Sequence, residues 1–380
     1  MRILLLSWNF PPALGGIEYV VDHLYRELNA AGHEVHLVTT VSEEPEQDPR
    51  IHRCPRPGLK SYNLYAIKQG RRLIRDFKPD LIVNGSIASG PAAWWLSILG
   101  RLPNVILMHG SDILHEGWVY QRVVRFFVRA ADRLASNSLH TKELLVAAGA
   151  KPERVEVIHP GVCVDHFAEA PSTGAERIVE KASGRRVLMT VGRLIKRKGV
   201  LEFVEQAMPV LREQFPDVLF LVVGDDAQQS LAHKERMKDR IARKVRDLGL
   251  EGHVMLLGKI PDEDLFRLYF LADIFILPCL DIPGDVEGFG IVFSEAALAG
   301  AASVATRAGG IPEAVQDEVT GLLAEPGDFE GLVERISRLL TNESERKHLA
   351  EAGATRARAE LAWPVICQAY VDLFAATCSR

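Results

Sequence analysis

Short apolar runs alternate with amphipathic helical patterns along this 380-residue chain, and they do so in two separate sets. Such alternation is typical of a parallel sheet that helices cover on both faces. The predicted strands are Ile3–Leu6, Val35–Val38, Leu81–Val83, Val105–Met108 and Val155–Ile158 in the first set, and Arg186–Val191, Leu219–Val223, Val254–Leu257, Ile274–Leu277 and Ala302–Ala305 in the second. We therefore predict an α/β protein with two Rossmann-like, doubly wound parallel-sheet domains that face each other across a cleft.

The segment 169–183 separates the two sets and is rich in Ala, Ser, Glu and Gly. We interpret it as a linker between an N-terminal domain of residues 1–168 and a C-terminal domain of residues 184–363. A Trp-Pro break precedes the last helix, which we expect to cover 364–380 and to return to the first domain. Because ligands of doubly wound sheets bind beyond the carboxyl ends of the strands, function is expected on the loops that follow strands.

The composition excludes several classes of protein. A hydrophobic content of 47% with 25% charged residues describes a globular protein rather than a disordered chain. The net charge of −5 argues against a nucleic-acid partner. Five scattered cysteines without a Cys-x-x-Cys pair favour a reduced, cytoplasmic compartment. The apolar run Ile3–Leu6 is too short for a signal peptide, and no stretch approaches the roughly 20 apolar residues of a spanning helix.

Two carboxylates, Glu287 and Glu295, flank a glycine-bracketed turn that opens an apolar helix. We expect the helix to begin near Gly290, so its first N–H groups and the positive end of its dipole would favour an anion such as a diphosphate. Glu295 lies a turn and a half into the helix, among residues so apolar that its carboxylate must be buried or line a cleft. One carboxylate could hold the transferred sugar and the other a ribose. The plainer alternatives are a helix cap and a solvated helix face.

Four cations lie within the six residues from Arg193 to Lys198, in a loop expected between a strand and a helix. The forked guanidinium group of Arg193 can donate two hydrogen bonds to phosphate oxygens, and the ammonium group of Lys198 can act as a point charge. Both could therefore stabilise the charge on a departing diphosphate. The alternative, a solvated basic turn without a ligand, carries more weight for Lys196 and Arg197 than for Arg193 and Lys198. A basic loop of this kind makes a metal ion dispensable, and we predict neither a metal site nor a cofactor.

Other motifs argue against rival chemistries. Asp225 and Asp226 could suggest a metal pair, yet carboxylates that follow a glycine at a strand end are common in turns and caps. The chain has no Gly-x-Gly-x-x-Gly fingerprint after its first strand, which removes the main support for a dinucleotide cofactor. It also lacks a Gly-x-Ser-x-Gly elbow and a phosphate-loop Lys-Ser/Thr pair.

In the first predicted domain, the loop after the first strand contains Asn9 and the paired Gly15 and Gly16. Paired glycines let the backbone approach an anion or a hydroxyl closely, although a simple tight turn explains them equally well. His109 and Asp112 follow a later strand, at the edge of the expected cleft. A lone histidine there is more often a packed or capping residue, and the alternative is contact with the sugar.

Aromatic residues lie near the basic cluster Arg122–Arg133 in the sequence, and they are Trp94, Trp95, Trp118, Phe126 and Phe127. One interpretation is an amphipathic surface that faces a membrane, which would make the protein peripheral on the inner face of the membrane. The other is a core-packed helix with a basic outer side. The sequence leaves both open.

Five segments together resemble the retaining GT-B glycosyltransferases of family four, and the likeness spans nearly the whole chain. They are Pro-Pro-Ala-Leu-Gly15-Gly16, His109-Gly, Gly192-Arg193-Leu-x3-Lys198-Gly, Asp285-Val-Glu287-Gly-Phe-Gly-Ile-Val-Phe-Ser-Glu295-Ala and Gly309-Gly310-Ile-Pro-Glu313. Within the family, the Asp-Val-Glu-Gly-Phe-Gly form looks most like GDP-mannose-dependent mannosyltransferases that act on phosphatidylinositol mannosides. Gly288 replaces the serine of the commoner Glu-Ser spelling, which leaves the donor preference open.

The resemblance implies a role for each matching residue. Arg193 and Lys198 would bind the diphosphate, Glu295 the ribose, Glu287 the sugar hydroxyls, and His109 the donor sugar from across the cleft. The remaining residues assigned to the donor are Gly16, Gly288, Phe289, Gly290, Ile291, Gly258 and Ile260, of which the last two would read the base through backbone groups. The residues assigned to the acceptor side are Asn9, Gly15 and Asp112.

The sequence thus predicts a hexosyltransferase that moves mannose from GDP-mannose to a hydroxyl of a glycan or lipid-linked acceptor held by the first domain. The resemblance implies retention of the anomeric configuration without a metal, with the leaving phosphate taking the proton of the acceptor. The alternatives are a UDP-sugar-dependent glucosyl or N-acetylglucosaminyl transferase of the same fold, a nucleotide-sugar epimerase, and a non-catalytic nucleotide-sugar-binding subunit.

Overall fold

The computed structural model describes residues 1–13, 15–42, 46–114, 117–226 and 236–379. The chain divides into two compact units, one of Met1–Gly161 with Ala362–Arg380 and one of Val162–Leu361. The chain thus leaves the first unit after Gly161, earlier than the predicted boundary at 168. The predicted linker 169–183 belongs to the second unit, where its Ala- and Glu-rich part forms the helix Glu176–Ala182.

The first unit contains one all-parallel sheet of seven strands. These strands are β1 (Arg2–Ser7), β2 (Glu34–Thr39), β3 (Ile51–Arg53), β4 (Leu81–Asn84), β5 (Asn104–Met108), β6 (Arg133–Ser136) and β7 (Val155–Val157). Their order across the sheet is β3-β2-β1-β4-β5-β6-β7. The central strands are buried on both faces, which is why they read as continuous apolar runs. The sequence did not predict β3 and β6, because both are short and carry an arginine at one end.

Helices cover both faces of this sheet. They are Gly16–Ala30, Leu59–Asp76, Gly90–Gly100, Ser111–Leu114, Trp118–Ala130, Leu139–Ala147 and Trp363–Cys378, with 3₁₀ turns at Ile87–Ser89 and Pro152–Arg154. The last helix joins the first unit through Trp363, which is buried and stacks on His23 at a ring separation of 5.3 Å. Its indole N–H donates to the hydroxyl of Tyr19 at 3.3 Å. The C-terminal helix therefore packs against the helix that follows β1.

The second unit contains a six-stranded parallel sheet. Its strands are β8 (Arg186–Val191), β9 (Val218–Val223), β10 (Val254–Gly258), β11 (Ile274–Leu277), β12 (Ala302–Thr306) and β13 (Gly321–Ala324). Their order is β10-β9-β8-β11-β12-β13, the order of a dinucleotide-type doubly wound sheet. The fold class predicted from the sequence is confirmed, although β13 was not predicted.

The helices of the second unit pack on both faces of its sheet. They are Glu176–Ala182, Val200–Gln206, Met208–Gln214, Met237–Asp247, Asp262–Leu271, Ile291–Leu298, Ile311–Ala314, Phe329–Thr341 and Glu343–Glu360, with 3₁₀ turns at Val164–Phe167 and Lys196–Lys198. The largest buried side chains of this core include Phe203, Phe220 and Phe275. Within the described ranges of the chain, no helix has the length and apolar character needed to cross a bilayer.

Candidate active site

The strand order of the second unit reverses between β8 and β11, which lie side by side. The chain leaves these two strands toward opposite sides of the sheet, so the loops that follow them border a crevice at the strand ends. A backbone hydrogen bond ties the two loops together, because the N–H of Leu280 donates to the carbonyl of Arg197 at 2.8 Å. This point of the sheet holds the charged residues that the sequence singled out.

Glu287 lies at the centre of an ion cluster that joins the two loops. Lys198 Nζ lies 2.8 Å from Oε2 of Glu287, and Nη1 of Arg197 donates to the same oxygen. Arg197 Nε also donates to Oδ1 of Asp285 at 2.9 Å. The side chains of Arg197, Lys198 and Glu287 are 7%, 11% and 13% exposed, so solvent screens the two ion pairs of Glu287 little. Asp285 is 41% exposed, so its pair with Arg197 is screened more. The structure therefore brings together Lys198 and Glu287 as partners.

The charge state of Glu287 follows from this cluster. Burial acts to raise the pKa of the Glu287 carboxyl, but the adjacent Lys198 and Arg197 outweigh it and lower the pKa from 4.5 to about 2. The carboxylate is thus ionised at neutral pH. In that state it only accepts hydrogen bonds, which suits sugar hydroxyls and gives it little strength as a base.

The roles of the two arginines in the basic loop differ from the sequence interpretation. Arg197 is buried and donates hydrogen bonds to two carboxylates. From the sequence alone, an exposed, solvated position carries more weight for Arg197 than for Arg193 or Lys198. Arg193 is exposed, and its proposed grip on a diphosphate stays a prediction. Lys196 is exposed as well. No local pattern could have separated Arg197 from its neighbours, because its partners lie 88 and 90 residues away in the sequence.

The helix that follows β11 begins where the sequence placed it. It spans Ile291–Leu298, with Gly290 before it at a φ of 95°. Phe289 is buried, and Gly288 and Ile291 are partly buried, so the turn lies against the protein rather than in solvent. The N–H of Phe293 donates to the carbonyl of Gly290 at 3.1 Å, and the first helical turn begins at Ile291, four residues after Glu287.

A second glycine loop packs directly on Glu287. The N–H of Gly310 donates to the carbonyl of Glu287 at 2.9 Å. A Cβ atom at Gly309, whose φ is 54°, would lie 2.4 Å from that same carbonyl oxygen. Gly309 therefore has to be a glycine for this close approach, and Gly310 contributes a backbone N–H to the contact.

Glu295 is partly buried and has a specific partner. The hydroxyl of Tyr269 donates to its Oε2 at 2.7 Å. Burial raises the pKa of the Glu295 carboxyl, and the Tyr269 hydrogen bond acts against that shift. The sequence reasoning required a partner for this carboxylate but did not find Tyr269, since nothing in a helix of mixed pattern marks one tyrosine for this contact.

The loops after β9 and β10 lie beside the basic loop. The N–H of Gly224 donates to the carbonyl of Gly258 at 2.9 Å, and the N–H of Leu194 donates to the carbonyl of Asp225 at 3.0 Å. Asp226 accepts from the N–H of Met237 at 2.7 Å and thereby caps the helix Met237–Asp247. Lys238 Nζ pairs with Asp225 at 3.1 Å. These two carboxylates thus have capping and ion-pair roles.

Ile260 lies two residues beyond Gly258 and is partly buried. Gly258 has a φ of 68°, in the left-handed region that favours glycine. Their assignment to base recognition stays a prediction.

In the first unit, the loop after β1 is held by polar contacts around Asn9. Asn9 Nδ2 donates to Glu18 Oε1 at 2.7 Å, and the Ser86 hydroxyl donates to Asn9 Oδ1 at 2.9 Å. Gly15 and Gly16 are exposed at the start of the helix Gly16–Ala30. Because β1 and β4 are neighbours at the point where this strand order reverses, Asn9 and Ser86 occupy the switch point of the first sheet.

His109 follows β5 and is buried against the same loop. Its Nε2 donates to the carbonyl of Gly85 at 2.9 Å, since a carbonyl can only accept. In the neutral ring Nδ1 is then the acceptor. Asp112 accepts from the backbone N–H of His109 at 3.1 Å, and burial raises the pKa of its carboxyl. Contact of His109 with the donor sugar and of Asp112 with the acceptor stay predictions.

Two family models match consecutive parts of the chain. The model described as Glycosyltransferase Family 4 matches residues 14–166, and the model described as Glycosyl transferases group 1 matches 174–356. The second match contains the whole ion cluster around Glu287. Together the two matches cover most of both units.

Curated relatives resemble the chain along nearly its full length. A GDP-mannose-dependent alpha-(1-6)-phosphatidylinositol monomannoside mannosyltransferase of Mycolicibacterium smegmatis is 27% identical, over 92% of this chain and 92% of that protein. A glycogen synthase of Mycobacterium tuberculosis is also 27% identical, over 99% of this chain and 95% of that protein.

Among solved structures, a sucrose-phosphate synthase from Thermosynechococcus elongatus has a TM-score of 0.82 at 24% identity and covers 99% of both chains. Anabaena Alr3699/HepE in complex with UDP and glucose has a TM-score of 0.81 at 20% identity, over 99% of this chain and 100% of that one. These likenesses establish the two-sheet fold.

Proposed function

Because the chain carries a Glycosyltransferase Family 4 domain followed by a group 1 glycosyl transferase domain, and is therefore a glycosyltransferase of the GT-B type, we propose that it transfers mannose from GDP-mannose. The acceptor is a hydroxyl of a glycan or of a lipid-linked sugar. The 27% identical mannosyltransferase relative and the Asp285–Gly290 motif support this donor. Transfer proceeds with retention and without a metal ion.

The observation that carries the proposal is the pairing of Lys198 with Glu287 at the switch point of the second sheet. When the donor binds, the ammonium group of Lys198 turns to the diphosphate, and Arg197 remains to neutralise Glu287. Arg193 on the same loop adds a second cation for the phosphate oxygens. Positive charge from side chains takes the place of a metal ion as negative charge grows on the leaving diphosphate.

The two carboxylates then divide the rest of the donor between them. Glu287 stays ionised and accepts hydrogen bonds from the sugar hydroxyls, with the backbone of Phe289–Ile291 beside it. One oxygen of Glu295 accepts from Tyr269, and the other is available to a ribose hydroxyl. Because cations hold Glu287 so firmly, it is a poor base, which supports a route in which the leaving phosphate takes the acceptor proton.

The experiment is a donor panel with the purified protein. GDP-mannose, UDP-glucose, UDP-N-acetylglucosamine and ADP-glucose are each incubated with a phosphatidylinositol mannoside acceptor, and nucleoside diphosphate release is measured with and without acceptor. We expect acceptor-dependent release of GDP, with a product that NMR identifies as an α-mannoside. Release of UDP or ADP instead would show that the donor is a UDP-sugar or ADP-glucose and would contradict the assignment of GDP-mannose. An epimerised sugar in the absence of acceptor, or tight binding without release, would contradict transfer itself.

A matched pair of variants tests the role of the cluster. Lys198→Met removes one of the two cations that contact Glu287, and we expect turnover to fall by about 10²- to 10³-fold, as for loss of one group that stabilises transition-state charge. Lys196→Met changes an exposed lysine of the same loop and should leave turnover within about twofold of wild type. Equal activity in the two variants would remove Lys198 from the mechanism.

A further inference from the structure

Three helices of the first unit lie next to one another on a single face of its sheet. The helix Leu59–Asp76 packs against Gly90–Gly100, which packs against Trp118–Ala130. The buried sides of the first two rest on residues such as Leu6 and Ile82, and the third rests on Ile106. Strand register places these residues on the same side of the sheet. Their outer sides therefore form one continuous surface, here called the three-helix surface.

The three-helix surface exposes large apolar side chains. Those that are at least a third exposed are Leu59, Leu64, Trp95, Ile98, Leu99, Trp118, Val123 and Phe126. Trp118 is 73% exposed and Leu64 is 71% exposed. Within the part of the chain that the structure describes, the exposed large aromatic side chains are Trp95, Trp118 and Phe126, and all three lie on these helices. So dense a group of exposed apolar residues marks a surface that docks on something else.

The same surface is strongly positive. Its helices carry eight cations, which are Lys60, Lys68, Arg71, Arg72, Arg75, Arg122, Arg125 and Arg129. All eight are exposed, and Asp76 is the one carboxylate in the three helix sequences. The guanidinium of Arg122 lies 5.8 Å from the ring centre of Trp118, so cation and aromatic ring are side by side. A partner that matches this surface must be both apolar and anionic.

The sequence left open whether the aromatic residues face a membrane or pack in the core. The structure shows some of them buried and others exposed. Phe127 is buried, and Trp94 is partly buried with its ring 5.2 Å from that of Phe126. Trp95, Trp118 and Phe126 themselves face outward. The helix Trp118–Ala130 thus packs on the core through one side and still presents aromatic and cationic side chains on the other.

We propose that the three-helix surface docks on the face of a bilayer that contains anionic phospholipids. Tryptophan and phenylalanine rings insert at the level of the headgroups, and the surrounding arginines and lysines bind lipid phosphates. Because such a bilayer has an apolar interior beneath a negatively charged surface, it complements both the apolar side chains and the positive charge of the three-helix surface. A water-soluble protein face rarely offers both over such an area.

Vesicle binding tests this directly with the full-length protein. Vesicles of phosphatidylcholine alone are compared with vesicles of equal parts phosphatidylcholine and phosphatidylglycerol, by sedimentation and by tryptophan fluorescence. We expect binding and a blue shift of the emission only with phosphatidylglycerol, and weaker binding as salt is raised. Binding that ignores lipid charge, or no binding to either vesicle, would overturn the proposal.

Matched variants identify the surface. Trp118→Ser should weaken partitioning about tenfold, whereas Val319→Ser, an exposed apolar change in the second unit, should leave it unchanged. Arg125→Gln should weaken it about fivefold, which corresponds to ~1 kcal/mol, while Arg358→Gln, a change of an exposed arginine in the second unit, should not. Since these side chains are exposed, circular dichroism and urea unfolding should match the wild type for each variant.

Other outcomes are informative in the same way. If the protein dimerises through this surface, the Trp118→Ser variant will run as a smaller species on size exclusion and the wild type will not bind vesicles, which overturns membrane docking. Vesicle binding needs no nucleotide sugar, because the three-helix surface lies outside the strand-end loops. Failure of the donor assay and failure of vesicle binding are therefore separate results.

Discussion

Lys198 and Glu287 meet at 2.8 Å although they belong to loops that leave two neighbouring strands on opposite sides of the sheet. This ion pair lies at the reversal of strand order in the second unit. The same loops are joined by the backbone hydrogen bond from Leu280 to Arg197, and Gly309 and Gly310 pack on the backbone of Glu287. The geometry of the candidate site is therefore a property of the sheet end, not of either loop alone.

Replacement of Arg197 should lower stability more than any other change in the basic loop. Arg197→Met leaves Asp285, whose side chain is 41% exposed, without its partner and removes one of the two cations that hold the buried Glu287. We expect the free energy of unfolding to fall by about 1–3 kcal/mol, as for loss of hydrogen bonds to charged groups. Urea unfolding should show the loss. Arg197→Lys keeps the charge and should recover part of it, whereas equal loss in both variants would argue that packing alone is responsible.

Glu287 should make stability depend on pH in the acid range. Its pKa is about 2 in the folded protein and near 4.5 when unfolded, so its contribution is fully present above pH 4.5 and is lost as pH falls toward 2. In the Glu287→Gln variant, the thermal unfolding temperature should fall less steeply as pH drops from 4.5 to 2 than it does in the wild type. An unchanged slope would show that the cluster does not hold the carboxylate ionised.

Glu295 should act through binding of the nucleotide rather than through the chemical step. Tyr269→Phe removes a hydrogen bond from its carboxylate, so we expect KM for the donor to rise by about tenfold with kcat little changed. Tyr370→Phe removes a buried hydroxyl from the first unit and serves as the control, with no effect on KM. A fall in kcat with constant KM would contradict this division of roles.

Gly309→Ala should displace the backbone of Glu287. The new Cβ would lie 2.4 Å from the Glu287 carbonyl oxygen, and we expect activity to fall by at least about tenfold. Gly327→Ala is a matched control, because Gly327 also has a positive φ, of 84°, but has no atom within 4 Å of the added Cβ. Equal loss of activity in the two variants would attribute the effect to backbone strain alone.

A histidine pair in the first sheet should add a second pH dependence. His36 Nδ1 and His52 Nε2 lie 2.9 Å apart, and burial lowers the pKa of His52 from 6.5 to about 4, with His36 adding to the effect. The unfolded chain takes up a proton near pH 6.5 and the folded chain only near 4, so stability falls as pH drops through that window. His52→Asn should flatten this part of the unfolding profile, whereas His348→Asn, an exposed change, should not.

Much of the fold could be predicted from the sequence because it rests on local patterns. Apolar runs such as Ile274–Leu277 keep their bounds in the structure, and the helix after Gly290 begins where the glycine turn indicated. The strands that escaped prediction, β3, β6 and β13, are three or four residues long, and each has an arginine or a glycine at one end. Short strands such as Ile274–Leu277 are apolar throughout and could be recognised, whereas a short run interrupted in this way shows no apolar pattern.

The sequence by itself determined the two doubly wound units, the loops that follow their strands and the glycine turn between Glu287 and Glu295, since periodicity and motif spacing are local properties. Only the tertiary structure decided that Arg197 turns inward to Asp285 and Glu287 while Arg193 stays exposed. It alone paired Tyr269 with Glu295 and brought the exposed sides of three apolar helices, two of them basic, onto one surface. Each of these depends on residues distant in the chain, and parallel strands bring such residues together only when the whole sheet has formed.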